Sequence, residues 1–458
     1  MLTGTNPVKQ FWSVNKMSTK PLVAIVGKPN VGKSTFFNKV CGSRISIVSD
    51  MPGVTRDRIY GDAEWLGKQF TLIDTGGIQL KSEDQMFKHI KQQAEMAVEI
   101  ADVILFFCDV KTGLTYEDYD VIQFLRKCNK PVIHVVNKVD NYLVDDISEF
   151  YSVGLGDELF AIAAEQKSGI GDLLDKVVSY FPEIERIEDD ETIKIAVVGK
   201  PNAGKSSLVN KILGYDRTIV SNVAGTTRDA IDTPFEYEGR KYTIIDTAGM
   251  RRKRAIEDDT VEQYSVMRSL NAIRRADVCL IVMDAEVGLT EQDVKIAGFI
   301  HEEGKPSVVV VNKWDLIEKD THTVEKFKSQ LGVDRAFMDY FKYITVSALT
   351  GQRVNKLMEM VDYVYAKSTF RVSTGMLNDV VSDAVAAVEP PSSSGRRAKI
   401  KYCTQPSTQP PTFVFFVSNA KILHFSYRRY LENYIRRAFS LDGTPIKMVF
   451  RDDTEKSD

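Results

Sequence analysis

From Leu22 to Phe181, short apolar runs alternate with longer mixed segments: Leu22–Val26, Phe70–Ile73, Val103–Cys108, Val132–Val136 and Leu159–Ile162. Nearly continuous Val, Ile, Leu and Phe is what a strand needs when both of its faces are covered. The amphipathic stretches between the runs supply the covers, so the pattern predicts an α/β fold with a doubly wound, mostly parallel sheet. Glu183–Glu191 then brings six acids, one Arg and no compact apolar pattern, which reads as a linker.

The same succession restarts at Ile193 and runs to about Tyr365, in register. Gly199 lies 172 residues after Gly27, as do Thr227 after Thr55 and Asp246 after Asp74, while Asn312 follows Asn137 by 175. Each half is long enough to bury its own core, so this is a duplicated domain and not a solenoid. After Ser368 the pattern changes to a helix (Met376–Val388), two strands (Ala398–Thr404, Thr412–Val417), a basic helix (Tyr427–Phe439) and a short strand (Ile446–Phe450), with Pro390–Gly395 as a flexible loop. A small α+β domain is expected there. The predicted boundaries are a disordered extension over 1–20, domains over 21–182 and 193–368, an acidic linker at 183–192, a third domain over 369–452 and a tail at 453–458.

Chemistry enters at the ends of the strands. Gly27-Lys28-Pro29-Asn30-Val31-Gly32-Lys33-Ser34 follows one apolar run and opens a helix-like segment. A loop with little side-chain bulk lets backbone N–H groups close on phosphate oxygens, and the helix N-terminus adds partial positive charge. Lys33 would reach the β- and γ-phosphates and Ser34 would hold Mg²⁺. By residue frequencies such a match arises by chance in roughly one or two chains per hundred of this length; here Gly199-Lys200-Pro201-Asn202-Ala203-Gly204-Lys205-Ser206 repeats it, with Lys205 and Ser206 in the same positions.

The base is chosen elsewhere. Asn137-Lys138-Val139-Asp140 and Asn312-Lys313-Trp314-Asp315 each follow an apolar strand, at the sheet edge that carries the phosphate loop. A carboxylate there accepts from guanine N1–H and its 2-amino group, whereas adenine would leave it buried and unpaired. The Asn would hold guanine N7 and the Lys stem would cover the ring.

Asp74-Thr75-Gly76-Gly77 and Asp246-Thr247-Ala248-Gly249 end strand-like runs, so each Asp points toward Mg²⁺ and Gly77 and Gly249 offer N–H to the γ-phosphate. Thr55 and Thr227 are the candidates for a second hydroxyl on Mg²⁺. Lys33, Thr55, Gly77, Lys205, Thr227 and Gly249 form the expected catalytic set. Ile78 and Met250 follow the last Gly, and neither side chain can hydrogen-bond an attacking water, so catalysis must come from positioning and charge.

Composition narrows the setting. Five cysteines form no CxxC pair, and Cys108 and Cys279 sit inside apolar runs, which predicts buried thiols in a reducing compartment and no disulfide framework or zinc site. The longest apolar runs fall far short of the ~18 residues of a membrane span, and residues 1–20 hold no signal-peptide core. The net charge of −3 hides an asymmetry: Gly395–Arg451 carries eleven bases against Glu432 and Asp442, so a basic module rides on an acidic body and a polyanionic partner is expected there.

The order of these motifs, twice over and followed by a basic α+β module, resembles the Der (EngA) family of bacterial GTPases. Lys399-Ile400-Lys401-Tyr402, Pro410-Pro411-Thr412-Phe413 and Ser426-Tyr427-Arg428-Arg429 resemble that family's KH-like domain. The resemblance implies two tandem P-loop GTPase domains, a cytoplasmic Mg²⁺-dependent GTPase acting in assembly of the large ribosomal subunit, rRNA and its precursor particle as partners, no DNA partner, and a monomer. It also implies that Asn30 and Asn202 help bind K⁺; a purely structural role for them stays open. Rival readings are a non-catalytic GTP-gated scaffold and a tRNA-modification GTPase, the latter lacking any domain for substrate chemistry.

The chain departs from the family in places. Val346-Ser347-Ala348-Leu349-Thr350-Gly351 is close to the family's base-shielding loop, but the first copy, Ile162-Ala163-Ala164-Glu165-Gln166-Lys167, has Ala163 for Ser and Lys167 for Gly; the resemblance implies that the Ala164 and Ala348 N–H groups meet guanine O6. No GxxG lies between Ser368 and Arg451, so the usual KH backbone clamp on RNA is unsupported. Arg428, Arg429, Arg436 and Arg437 either face phosphates or dock on an acidic G domain. Arg251-Arg252-Lys253-Arg254 follows the third motif in the second copy alone.

Overall fold

The computed structural model describes residues 21–41, 60–75, 94–95, 97–98, 100–140, 147–155, 158–181, 192–214, 218–220, 232–247, 260–317, 339–393 and 396–452. Two compact units form, one built on 19–188 and the other on 189–256 with 268–458.

The first unit holds β1 (Leu22–Gly27), β2 (Tyr60–Trp65), β3 (Lys68–Asp74), β4 (Val103–Asp109), β5 (Val132–Asn137) and β6 (Leu159–Ala161). Their spatial order is β2-β3-β1-β4-β5-β6, all parallel except the β2/β3 hairpin. Successive residues of β1 feed opposite cores: Leu22, Ala24 and Val26 one, Val23 and Ile25 the other, where they meet Phe36 of the helix Lys33–Cys41. Burial on both faces explains the unbroken apolar run. Phe36 lies 5.2 Å from Phe107, and each fully buried ring contributes about 1.5–3 kcal/mol.

The second unit repeats this with β7 (Ile193–Val198), β8 (Thr218–Val220), β9 (Thr233–Tyr237), β10 (Arg240–Ile245), β11 (Val278–Asp284), β12 (Ser307–Asn312) and β13 (Lys342–Thr345), in the order β13-β12-β11-β7-β10-β9-β8. In both sheets the chain reverses its direction of travel at the strand that carries the phosphate loop, β1 or β7. That switch point opens a crevice at the carboxyl ends of the strands.

The antiparallel edges were not foreseen. β2 and β9 are half-polar strands, and each joins its partner through a two-residue turn, Leu66-Gly67 with φ of 48° and 74° and Glu238-Gly239 with φ of 50° and 82°. Two positive φ values match the right-handed twist of the flanking strands.

The C-terminal segment of this unit has a short hairpin, β14 (Ser392–Ser393) with β15 (Arg396–Arg397), where a loop was expected. A three-stranded sheet follows: β16 (Lys399–Thr408), β17 (Pro411–Ser418) and β18 (Lys447–Asp452), β16/β17 antiparallel and β17/β18 parallel. Helix Phe425–Phe439 buries Tyr427, Leu431, Ile435 and Phe439, one residue every four, against that sheet together with helix Thr374–Ala387.

This module is bonded to the second α/β sheet. Ser307 N–H donates to Gly443 O at 2.8 Å, Gly443 N–H donates to Tyr340 O at 2.6 Å, and Arg436 lies over the Tyr340 ring at 4.6 Å. Gly443 has φ of +71°, and a Cβ there would sit 2.4 Å from Val364 Cγ1, so the seam requires glycine.

Four of the five cysteines, Cys41, Cys108, Cys279 and Cys403, are buried and Cys128 is half-buried; all are unbridged. Burial pushes the Cys279 and Cys403 thiols up to about 12, which makes them inert.

Candidate nucleotide sites

The first phosphate loop leaves β1 at its carboxyl end. Gly32 has φ of +94°, and a Cβ on it would lie 2.1 Å from Asn137 Nδ2. Asn30 and Asn202 both adopt left-handed φ, 66° and 64°, a conformation Asn tolerates better than most residues, and both are exposed. Lys33 folds back over the loop, donating to Gly27 O at 2.7 Å and Lys28 O at 2.6 Å. Burial pulls its ammonium down to about 8, partly opposed by the Asp74 carboxylate. Ser34 Oγ donates to Asp74 Oδ2 at 2.5 Å, and Thr75 Oγ1 donates to Ile25 O at 2.6 Å. Ser34 and Asp74, forty residues apart in sequence, therefore meet beside Lys33.

Asn137 is buried and both ends of its amide are used. Nδ2 donates to Val31 O at 2.8 Å, and Oδ1 accepts the Ala164 N–H at 3.0 Å. The Ala164 N–H, the candidate donor to guanine O6, bonds here to a buried amide, both polar ends of which must be satisfied. Asn137 thereby ties the phosphate loop to the base-shielding loop. Lys138 donates to Asn30 O at 2.8 Å and Asp109 Oδ2 at 2.6 Å, while Gln166 Nε2 reaches Asp140 Oδ2 at 3.4 Å.

The second copy repeats the frame. Lys205 donates to Gly199 O at 2.6 Å and Lys200 O at 2.5 Å. Asn312 bridges Ala203 O at 2.9 Å and the Ala348 N–H at 3.0 Å. Trp314 N–H, like that of Val139, bonds across to the base-shielding loop, at Val346 O. Lys313 Nζ is 2.7 Å from Asp284 Oδ2. Burial pushes the Asp284 carboxyl up, but hydrogen bonds from Lys313 and the Glu286 N–H and the charges of Lys313 and Lys200 outweigh it and hold it below the usual range.

The copies differ in two places. β3 runs through Asp74, whereas β10 ends at Ile245 and Asp246 turns to φ of 57°, its N–H donating to Asp232 Oδ1 at 3.0 Å. Thr247 Oγ1 pairs with Thr233 Oγ1 at 2.8 Å. In the base-shielding loops, Ser347 Oγ accepts the Thr350 N–H at 3.1 Å and Gly351 takes φ of +83°. The first copy lacks that hydroxyl and forces Lys167 to φ of 62°, at a cost of about 1 kcal/mol. Both loops share a main-chain closure, Ala163 N–H to Ser168 O at 3.1 Å and Ser347 N–H to Gln352 O at 3.2 Å, and the first copy adds the reciprocal bond from the Ser168 N–H to Ala163 O at 3.2 Å. Ala164 and Ala348 consequently reach their Asn partners at the same 3.0 Å.

Thr55, Gly76, Gly77, Ile78, Thr227, Ala248, Gly249, Met250 and the basic run 251–254 lie outside the described residues.

Sequence reasoning missed a strut behind each site. Asp109, Gly113, Leu114, Thr115 and Asp118 recur 175 residues later as Asp284, Gly288, Leu289, Thr290 and Asp293, which was the available signal. Asp109 and Asp284 pair with Lys138 and Lys313. Asp118 is fully buried and caps its helix through the Thr115 N–H at 2.9 Å; its Oδ2 also meets Lys28 Nζ at 2.6 Å. Lys28→Met leaves that carboxylate buried without its cation, so a loss of about 3–5 kcal/mol is expected in denaturant unfolding of the first domain. Lys28→Met with Asp118→Asn should recover most of it; a double-variant loss equal to the sum of the two single losses would show that the pair does not couple.

The basic helix is partly committed to structure. Arg436 donates to Leu441 O and Thr444 O, both at 2.7 Å, and Arg428 donates to Leu423 O at 3.0 Å and lies 4.9 Å from the centre of the Phe450 ring. Arg437 is exposed, and Arg429 is 3.6 Å from Asp339. Among the described residues no group of three or more His, Cys, Asp and Glu is placed to hold a metal, and no helix is long and apolar enough to cross a membrane.

Comparison with known proteins fits this geometry. Residues 22–138 and 194–313 match a family described as 50S ribosome-binding GTPase, and 371–451 match the KH-domain-like C-terminal domain of EngA bacterial GTPases. GTPase Der of Ruminiclostridium cellulolyticum is 56% identical over 94% of this chain and 98% of its own. GTPase Der of Acetivibrio thermocellus is 55% identical over 94% and 99%. Among solved structures, Aquifex aeolicus Era bound to GDP.AlF4- overlaps with a TM-score of 0.30 and 20% identity, covering 57% of this chain and 93% of that one, too remote to guide either site. Identity above one half along nearly the whole of both chains, with both phosphate-loop domains and the basic module matched in order, means that this chain belongs to the GTPase Der family and is a GTPase.

Proposed function

We propose that the chain is a cytoplasmic, monomeric, Mg²⁺-dependent and K⁺-stimulated GTPase that acts in assembly of the large ribosomal subunit, its two nucleotide states deciding whether it engages precursor rRNA. The observation that carries the reading is the duplicated tie in which Asn137 and Asn312 each join a phosphate loop to a base-shielding loop, at 2.8 and 2.9 Å on one side and 3.0 Å on the other. One side chain thus senses both ends of a guanosine nucleotide, twice per chain.

In this reading the loops Gly27–Ser34 and Gly199–Ser206 wrap the phosphates, with Lys33 and Lys205 turning from loop carbonyls to the β- and γ-oxygens. Asp140 and Asp315 accept from guanine, and the second Nδ2 hydrogen of each Asn serves N7. Ser34 and Asp74 already present hard oxygen donors side by side, which suits Mg²⁺; Ser206, Asp246, Thr55 and Thr227 are assigned the same task. The ion, when bound, offsets charge on the β- and γ-phosphates. Asn30 and Asn202 are assigned to K⁺, and equal GTP turnover in Na⁺ and K⁺ buffers would remove that assignment. Comparing binding to large-subunit particles with GDP and with a non-hydrolysable GTP analogue tests the switch; equal binding would sink it.

Lys33 supplies a pH prediction. Its ammonium, near 8 without nucleotide, rises when a triphosphate arrives, so GTP binding between about pH 8 and 9 should take up a proton. Calorimetry in two buffers of different protonation enthalpy reads this directly, and an identical heat in both would refute it. In the nucleotide-free chain the unfolded lysine (10.5) holds its proton above the folded value of about 8, so this group's contribution to stability rises with pH across that window.

A further inference from the structure

The sheet of the C-terminal module has one face on its helices and another that the nucleotide chemistry does not use. Cys403, Phe413 and Phe415 point into the module's core. On the opposite face, Tyr402, Phe416 and Arg451 stand in one row across β16, β17 and β18, with Val414 and Val449 in the next. The Tyr402 and Phe416 rings are stacked, 4.3 Å apart and 12° from parallel, and Tyr402 is 43% exposed. Arg451 and Lys447 on the same face are exposed, and no position of these rows is acidic.

An aromatic stack with one ring exposed, Tyr402, backed by a half-buried one, Phe416, is a costly surface for water and a favourable one for a nucleobase. Each unstacked base brings a flat π-face of matching size, and the flanking cations meet its phosphates. A duplex hides its base faces and cannot use the rings. We propose that this face binds unpaired RNA, with a base stacked on the open face of Tyr402, which Phe416 backs, and the backbone running toward Arg451. The inference rests on the reading of the module as rRNA-facing and assigns that contact to the sheet, independently of the basic helix, where Arg428 and Arg436 are occupied internally.

The test uses the full chain and a fluorescein-labelled, unstructured 12-nucleotide oligoribonucleotide of mixed sequence, followed by anisotropy. Tyr402→Leu and Phe416→Leu preserve apolar bulk and should each weaken binding about tenfold, while Tyr402→Phe keeps the stack and wild-type affinity. Arg451→Gln should lower the salt slope by about 0.7. Thermal unfolding and GTP turnover should be unchanged in all four. Leucine variants that bind like wild type, or a 12-base-pair RNA duplex bound as tightly as the single strand, would overturn the site. Wild type that binds large subunits but not the oligonucleotide overturns this inference and spares the proposed function. Wild type that binds the oligonucleotide with this variant pattern, but large subunits in neither nucleotide state, supports the site and overturns only the proposed function.

Discussion

Asp315→Asn is expected to turn the second site from guanosine to xanthosine nucleotides while the first stays with GTP. The carboxylate accepts from N1–H and the 2-amino group of guanine; an asparagine there presents an amide N–H₂ to that amino group, donor against donor. Two charge-assisted bonds are lost, on the order of 3–4 kcal/mol or a few hundredfold in GTP affinity. Xanthine carries an oxygen at the same position and accepts from the new amide. Because the guanine motif is duplicated, one chain reports both results: calorimetry should return one guanosine and one xanthosine equivalent. Asp140→Asn should give the complementary pattern. Two guanosine equivalents of unchanged affinity in either variant would show that these carboxylates do not read the base.

Gly204→Ala is expected to disable the second site through its neighbour. The new Cβ would stand 2.1 Å from Asn312 Nδ2, at a φ of +92° that already disfavours any L side chain by about 1–2 kcal/mol. Asn312 has to move, and its bonds to Ala203 O and the Ala348 N–H go with it. Each buried group left unsatisfied costs about 1–3 kcal/mol. Loss of more than a hundredfold in GTP affinity at that site and a clear drop in thermal stability should follow. Gly239→Ala separates the two causes: its φ is +82°, yet nothing lies within 4 Å of its Cβ. It should cost only about 1 kcal/mol and leave nucleotide binding alone. Equal GTP binding by wild type and Gly204→Ala would refute the role given to Asn312.

Much of this architecture can be read from residues 22–136 and 193–311, because a strand buried on both faces must be apolar throughout, and β1 and β7 are. The half-polar edges escape that logic. β2 reads Tyr-Gly-Asp-Ala-Glu-Trp, and the clue lies in the Leu66-Gly67 turn that pairs it. The phosphate and guanine motifs are legible since each needs particular residue types at fixed spacing. The tie made by Asn137 is not, because nothing in a tetrapeptide says that its amide will be spent on Val31 and Ala164. The buried Asp118 was equally hidden: a lone carboxylate in a helix reads as surface charge until Lys28, ninety residues upstream, folds onto it. Only comparison of the two halves, where Asp293 recurs in register, betrays it. Arg436 shows the converse limit, since four arginines on a helix suggest an open electrostatic face and two of them turn inward.

The seam at Gly443 has an experimental corollary. A fragment ended after Ser368 would strip the root of β12 of its acceptor, leave the Tyr340 carbonyl without its donor and lift the guanidinium from that ring. β12 is the strand whose far end delivers Asn312. Turnover measured on an excised second G domain would thus describe a polypeptide with a loosened base pocket, and ranking the two active centres calls for point variants in the intact protein in preference to dissection.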